Sequence, residues 1–79
     1  MRYYFQLSDG QILTDDEGGD FADLDAAKVE AAKIAGEWLR DNAHEFAEDG
    51  ALLIEVLDER RSVLATIVVE ASAPTGTVH

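Results

Sequence analysis

The sequence predicts an α+β domain: an antiparallel sheet in β-β-α-β-β order with one long helix packed on one sheet face. Three observations predict it. An alternating aromatic stretch opens the chain, a helical apolar period starts at Leu24, and two runs rich in branched side chains close it. The first of these, Arg2 to Leu7, places Tyr3, Phe5 and Leu7 on one side and Arg2, Tyr4 and Gln6 on the other, the period of a strand. Asp9-Gly10 follows as a turn signal, because glycine accepts positive φ without steric cost. A short second strand around Gln11 to Thr14 completes a first hairpin.

The helix is expected from Leu24 to about Glu45. At about 100° per residue, Leu24, Ala27, Ala31, Ile34, Ala35, Trp38 and Leu39 share one face, with Glu30, Lys33, Glu37, Arg40 and Asp41 opposite or along its edge. The alanines at 26, 27, 31 and 32 favour helix and permit close approach to a sheet. Trp38 is expected to be buried between helix and sheet, where truncation to alanine would cost ~3 to 5 kcal/mol. Asp23 is the expected N-cap, with Asp25 in the first turn where the helix dipole favours negative charge, and Asp25 is the alternative cap. Two ends are open: fraying after Asn42, or continuation with Phe46 on the apolar side to Asp49-Gly50, where glycine ends a helix in the left-handed region.

Leu52 to Leu57 and Val63 to Val69 then read as two strands joined by the polar turn Asp58-Glu59-Arg60-Arg61. In the last strand Val63, Ala65, Ile67 and Val69 are expected on one face, with Leu64 and Val68 on the other. Leu53 and Leu57 likewise oppose Leu52, Ile54 and Val56. One helix covers one sheet face, so the other is expected to stay apolar enough to meet a second copy or a partner. Residues 1–70 form a single domain in this reading, and residues 71–79, ASAPTGTVH, a flexible C-terminal tail.

Composition narrows the function classes. A chain of 79 residues buries only roughly 60 to 65% of the surface its unfolded form exposes, too little core for separate cofactor and substrate domains. Without cysteine there is neither a disulfide staple nor a thiolate metal site. Seventeen acidic against six basic residues give a formal charge of −11, which repels nucleic-acid phosphates and anionic lipid headgroups. The opening MRYYFQLSDGQ lacks the apolar run of a signal peptide, and no later segment reaches the roughly twenty apolar residues of a membrane span. The expectation is a cytoplasmic protein that binds neither nucleic acid nor membrane.

The stretch TDDEGGDFADLD at residues 14 to 25 carries six carboxylates and invites a calcium reading. Its spacing fails. An EF-hand loop needs oxygen ligands at about positions 1, 3 and 5, glycine at 6 and glutamate at 12. With Gly19 sixth, Thr14 stands first, Gly18 fifth and Asp25 twelfth; with Gly18 sixth, the ends are Leu13 and Leu24. Acid–base catalysis by a pair among Asp15, Asp16, Glu17, Asp20 and Asp23 would need a cleft that separates their proton affinities. A chain this short offers no sign of such walls. His44 and His79 lie in no metal-binding motif, Ser8, Ser62 and Ser72 lack a nucleophile context, and neither Gly18-Gly19 nor Asp9-Gly10 begins a phosphate loop, the two adjacent glycines being permissive backbone. No catalytic, cofactor-binding or metal residue is assigned, and no cofactor is expected.

The opening RYYFQLSDG, the acidic DDEG at 15 to 18, DLDAAKVEAAKIAGEWL at 23 to 39 and IEVLDERRSVLATI at 54 to 67 resemble a family of short proteins of unknown function found in rhizobia and related alphaproteobacteria. In that family the last turn resembles D-E-x-G-R. Asp58-Glu59-Arg60-Arg61 departs from it by lacking the glycine, which leaves the turn type open. More distantly, the strand pair and the helix rich in alanine and glutamate resemble the N-terminal domain of HicB-type antitoxins, and that resemblance implies a basic protein partner. The sequence therefore ranks a non-enzymatic interaction or regulatory domain that forms a homodimer first, an antitoxin-like binder of a basic protein second, and a small hydrolase or metal-dependent enzyme third.

Overall fold

The computed structural model describes residues 1–9, 12–14 and 17–71, the side chain of Asp49 excepted. Its elements are β1 (Arg2–Ser8), β2 (Ile12–Thr14), β3 (Gly19–Asp20), α1 (Leu24–Asp41), α2 (Ala43–Asp49), β4 (Ala51–Leu57) and β5 (Val63–Glu70). Apart from β3 and the division of the helix, this is the expected order. Gly10 and Gln11 of the expected first turn lie outside the described residues, as do residues 72–79 of the expected tail.

The sheet runs β2-β1-β4-β5, every neighbouring pair antiparallel, with β3 pairing to the start of β1. Register aligns its apolar residues in rows across the strands. Phe5, Val56 and Ala65 form one row, Leu7, Ile54 and Ile67 the next, and Leu52 and Val69 a third. Alternation puts all of them, with Tyr3, on one face, where Ala27, Ala31 and Ala35 of α1 close the core. The alanine stripe matters because small side chains let the helix lie close to the large residues beneath it. Leu52, Ile54 and Val56 are consequently fully buried on β4, the strand over which α1 chiefly packs.

Asp23 caps α1 as expected: its backbone is extended and its Oδ1 accepts from the Ala26 amide at 2.9 Å. The other end differs from a single long helix. Both the amide N–H and the side-chain Nδ2 of Asn42 donate to the Trp38 carbonyl at 2.9 Å, and Asn42 leaves the helical region with φ −126° and ψ 29°. An asparagine side chain offers the backbone an alternative partner, and here that interrupts the ladder. The helical path resumes in α2 and ends at Gly50, whose φ of 82° is the left-handed cap expected of glycine. This places Phe46 edge-on to Trp38, ring centroids 6.3 Å apart. Trp38 is only partly buried against the core, so the full-burial cost expected for its truncation is an upper bound.

The β4–β5 turn solves the problem set by the missing glycine. The Asp58 amide donates to the Ser62 carbonyl at 3.0 Å, the Arg61 amide to the Asp58 carbonyl at 3.0 Å, and Asp58 Oδ1 accepts from the amides of Arg60 and Ser62 at 2.8 and 2.9 Å. Arg61, at the glycine position of the D-E-x-G-R pattern, holds φ 66°. Its guanidinium lies 4.3 Å from the centroid of the Tyr4 ring. Left-handed geometry costs a non-glycine residue about 1 to 2 kcal/mol, and an exposed cation over an aromatic ring returns roughly 0.5 to 1 kcal/mol. Two variants separate these effects. Arg61→Ala loses the ring contact and keeps the strain, whereas Arg61→Gly loses both, so urea titration should find the glycine variant more stable than the alanine variant by about 1 kcal/mol. Equal midpoints would remove the strain argument.

Candidate interaction surface

The helix-free sheet face is less apolar than strand alternation alone suggests. Thr14, Gln6, Glu55 and Thr66 stand side by side across all four strands, a polar row through the middle of the face, and Gln6 Nε2 donates to Glu55 Oε1 at 3.3 Å. One flanking row is Ile12, Ser8, Leu53 and Val68; the other is Tyr4, Leu57 and Val63. Leu57 is already buried, at 4% exposure, within the row that Arg61 overlies at Tyr4.

Val63 belongs to this face, contrary to its expected place beside Ala65. The register shifts between Val56 and Leu57: Val56 pairs with Ala65, Leu57 pairs with Val63, and Leu64 is the extra residue of a bulge. One inserted residue reverses the facing of what lies beyond it.

Exposed apolar side chains collect at the two ends of the strand order. Ile12 and Leu13 are exposed on β2, and Val63, Leu64 and Val68 on β5. The edges are not equivalent. β2 has three residues, and from Thr14, paired with Gln6, to Gly19, paired with Tyr3, the chain uses residues 15–18 where β1 uses only Phe5 and Tyr4. Among the described residues, pairing along that side is discontinuous. β5 runs for eight residues without proline, and among the described residues no strand lies beyond it.

The family comparison extends over this same architecture. The model described as Domain of unknown function (DUF6894) matches residues 2–70, from the first residue of β1 to the last of β5. The chain belongs to the DUF6894 family. No curated protein and no solved structure gave a match. The matched span of this DUF6894 domain includes both hairpins, both helical segments and the exposed β5 edge, so that edge is part of the domain rather than an appendage to it.

The acidic stretch of the DUF6894 chain is used largely as structure where it is described. Arg2 binds the Glu17 carbonyl through Nε at 2.9 Å and through Nη2, and its Nη1 lies 3.5 Å from Asp20 Oδ2. Both partners of that ion pair are substantially exposed, so it contributes little to stability. Asp23 is taken by the cap. Asp15 and Asp16, central to the calcium and acid–base readings, lie outside the described residues, with His79 and Ser72. Among the described residues no group of three or more His, Asp or Glu side chains is placed to hold a metal ion. His44 is exposed on α2, and Ser62 serves the β4–β5 turn.

An open cleft of about 290 Å³ lies between α1 and the first hairpin, lined by Phe5, Leu7, Leu13, Thr14 and Ile34. Among the described residues the Thr14 hydroxyl is the one polar side-chain group of that lining, so the cleft is shaped to accept apolar groups. Sequence reading missed it because it arises from the offset of the helix toward β4, a relation between distant segments. No helix among the described residues is long and apolar enough to cross a membrane.

Proposed function

We propose that this DUF6894 domain is a small, acidic, non-enzymatic interaction module of the cytoplasm that self-associates as a homodimer. The observation that carries the reading is the concentration of exposed apolar side chains, Val63, Leu64 and Val68, on an eight-residue edge strand. Such an edge presents unpaired backbone donors and acceptors beside apolar area, a combination that proteins ordinarily blunt or use. The net charge of −11 opposes the approach of two copies, so contact is favoured where charge is sparse, and β5 carries only Glu70. The same charge weighs against a nucleic-acid or anionic-membrane partner.

Light scattering over ~10 to 500 μM, a range bracketing micromolar affinities, should show conversion from one to two chains. Raising salt should modestly tighten the association by screening like charges, the reverse of a contact built on opposite charges. A single chain throughout that range would reject self-association. The charge also favours a second reading, that of an antitoxin-like binder of a basic protein. A chain that stays single alone, yet forms a salt-sensitive complex of defined stoichiometry with a purified basic protein, would establish it in place of the first.

A further inference from the structure

Resting on self-association, the backbone geometry of β5 identifies how two copies meet. We propose that β5 pairs antiparallel with β5 of a second copy about a two-fold axis at Thr66, making one continuous sheet to which each copy contributes five strands, with the helices of both copies on the same face.

The direction of the backbone groups follows from the end of the strand. The Ala71 amide donates to the Gly50 carbonyl at 2.8 Å, one step beyond the Ala51–Glu70 register pair, so the Ala71 backbone faces β4. Hydrogen-bonding direction alternates along an antiparallel strand. Val69, Ile67 and Ala65 therefore also face β4, while the N–H and C=O groups of Glu70, Val68 and Thr66 point away from the sheet. Two identical strands related by a two-fold axis normal to the sheet pair residue i with a residue of the same parity, the condition for these outward groups to meet their equivalents.

Centring the axis on Thr66 is favoured by side-chain chemistry. Thr66 then opposes its own copy, and Leu64 opposes Val68 twice, both favourable cross-strand combinations on the helix-free face. Ala65 opposes Ile67 on the helix face. Glu70, the one charge of β5, falls beyond the bulge at Leu64 at the end of the ladder, whereas moving the axis to Ile67 would set Glu70 against Leu64. The helices do not obstruct the arrangement. α1 packs chiefly over β4, and β4 of one copy lies three strand spacings from β4 of the other, ~14 Å, beyond the ~8 to 10 Å separation of directly packed helices.

A chain without cysteine provides a clean test. In the proposed register the two Thr66 Cα atoms are ~5.5 Å apart, within the ~4.4 to 6.8 Å span of a disulfide. Thr66→Cys should therefore cross-link almost completely under mild oxidation at concentrations where the wild type is dimeric, while Val29→Cys, exposed on α1, should remain single. Val68→Pro removes an outward N–H, a substitution an edge strand tolerates, and should weaken the dimer by about tenfold or more with the circular dichroism of the folded chain retained. A wild type that is monomeric throughout would overturn both self-association and this geometry. A dimeric wild type whose Thr66→Cys variant does not cross-link, or whose folded Val68→Pro variant dimerises unchanged, would overturn the β5 pairing alone. Should Val68→Pro fail to fold, the cross-linking result decides.

Discussion

Replacing Ile54 by alanine is expected to lower the free energy of unfolding by about 3 to 4 kcal/mol, near the upper part of the range for buried aliphatic truncations. Ile54 is fully buried at the middle of β4, between Leu7 on one neighbouring strand and Ile67 on the other, in the strand chiefly covered by α1. β4 itself is hydrogen-bonded to β1 on one side and β5 on the other, so the cavity cannot close by a simple shift. For a domain this small, that loss is a large fraction of a total near the lower end of about 5 to 15 kcal/mol. Leu53→Ala is the internal control. Leu53 is the next residue on the same strand, points to the helix-free face and is only half-buried, so its truncation should cost much less. Urea titrations of the two variants should give clearly different midpoints with similar slopes. Equal losses would contradict the assignment of faces in β4.

Gly18→Ala is expected to destabilise by about 2 to 4 kcal/mol, combining left-handed strain with overpacking. Gly18 has φ 68°, and an added Cβ would stand 2.5 Å from the Tyr3 carbonyl oxygen and 2.9 Å from Cδ1 of Tyr4. The ring could turn, but the carbonyl belongs to β1, which the Tyr4–Leu57 pair and its neighbours tie to β4. Gly36→Ala makes the opposite prediction. In α1, with nothing within 4 Å of the new methyl, it should stabilise by roughly 0.5 to 1 kcal/mol through the entropy glycine loses in a helix. Thermal unfolding of the pair should move the midpoint in opposite directions. A neutral Gly18→Ala would mean that the chain before β3 does not lie against β1 as described.

A reader of the acidic stretch sees charge, cap and turn signals, and those were correctly legible at Asp23. Gly18 was legible only as permissive backbone. Its specific demand for glycine comes from Tyr3 and Tyr4, residues far back in the chain that β3 pairing brings alongside. Equally, no motif in the sequence signals the apolar cleft or the contrast between the two edges, because neither belongs to a contiguous segment.

What the sequence by itself determined was local and periodic. Alternation at Arg2 to Leu7 and in the two C-terminal runs, the apolar stripe from Leu24 to Leu39 and the Asp23 cap are signals carried by neighbouring residues, and the element order follows from them. Tertiary structure alone decided which apolar residues remain exposed. The bulge at Leu64 moves Val63 to the helix-free face, register brings Gln6 beside Glu55 to make the centre of that face polar, and strand order leaves β5 at an edge. Periodicity assigns a side chain to a face, but the neighbours on that face are set by pairing between strands tens of residues apart, and those neighbours decide whether an apolar side chain is core or contact surface.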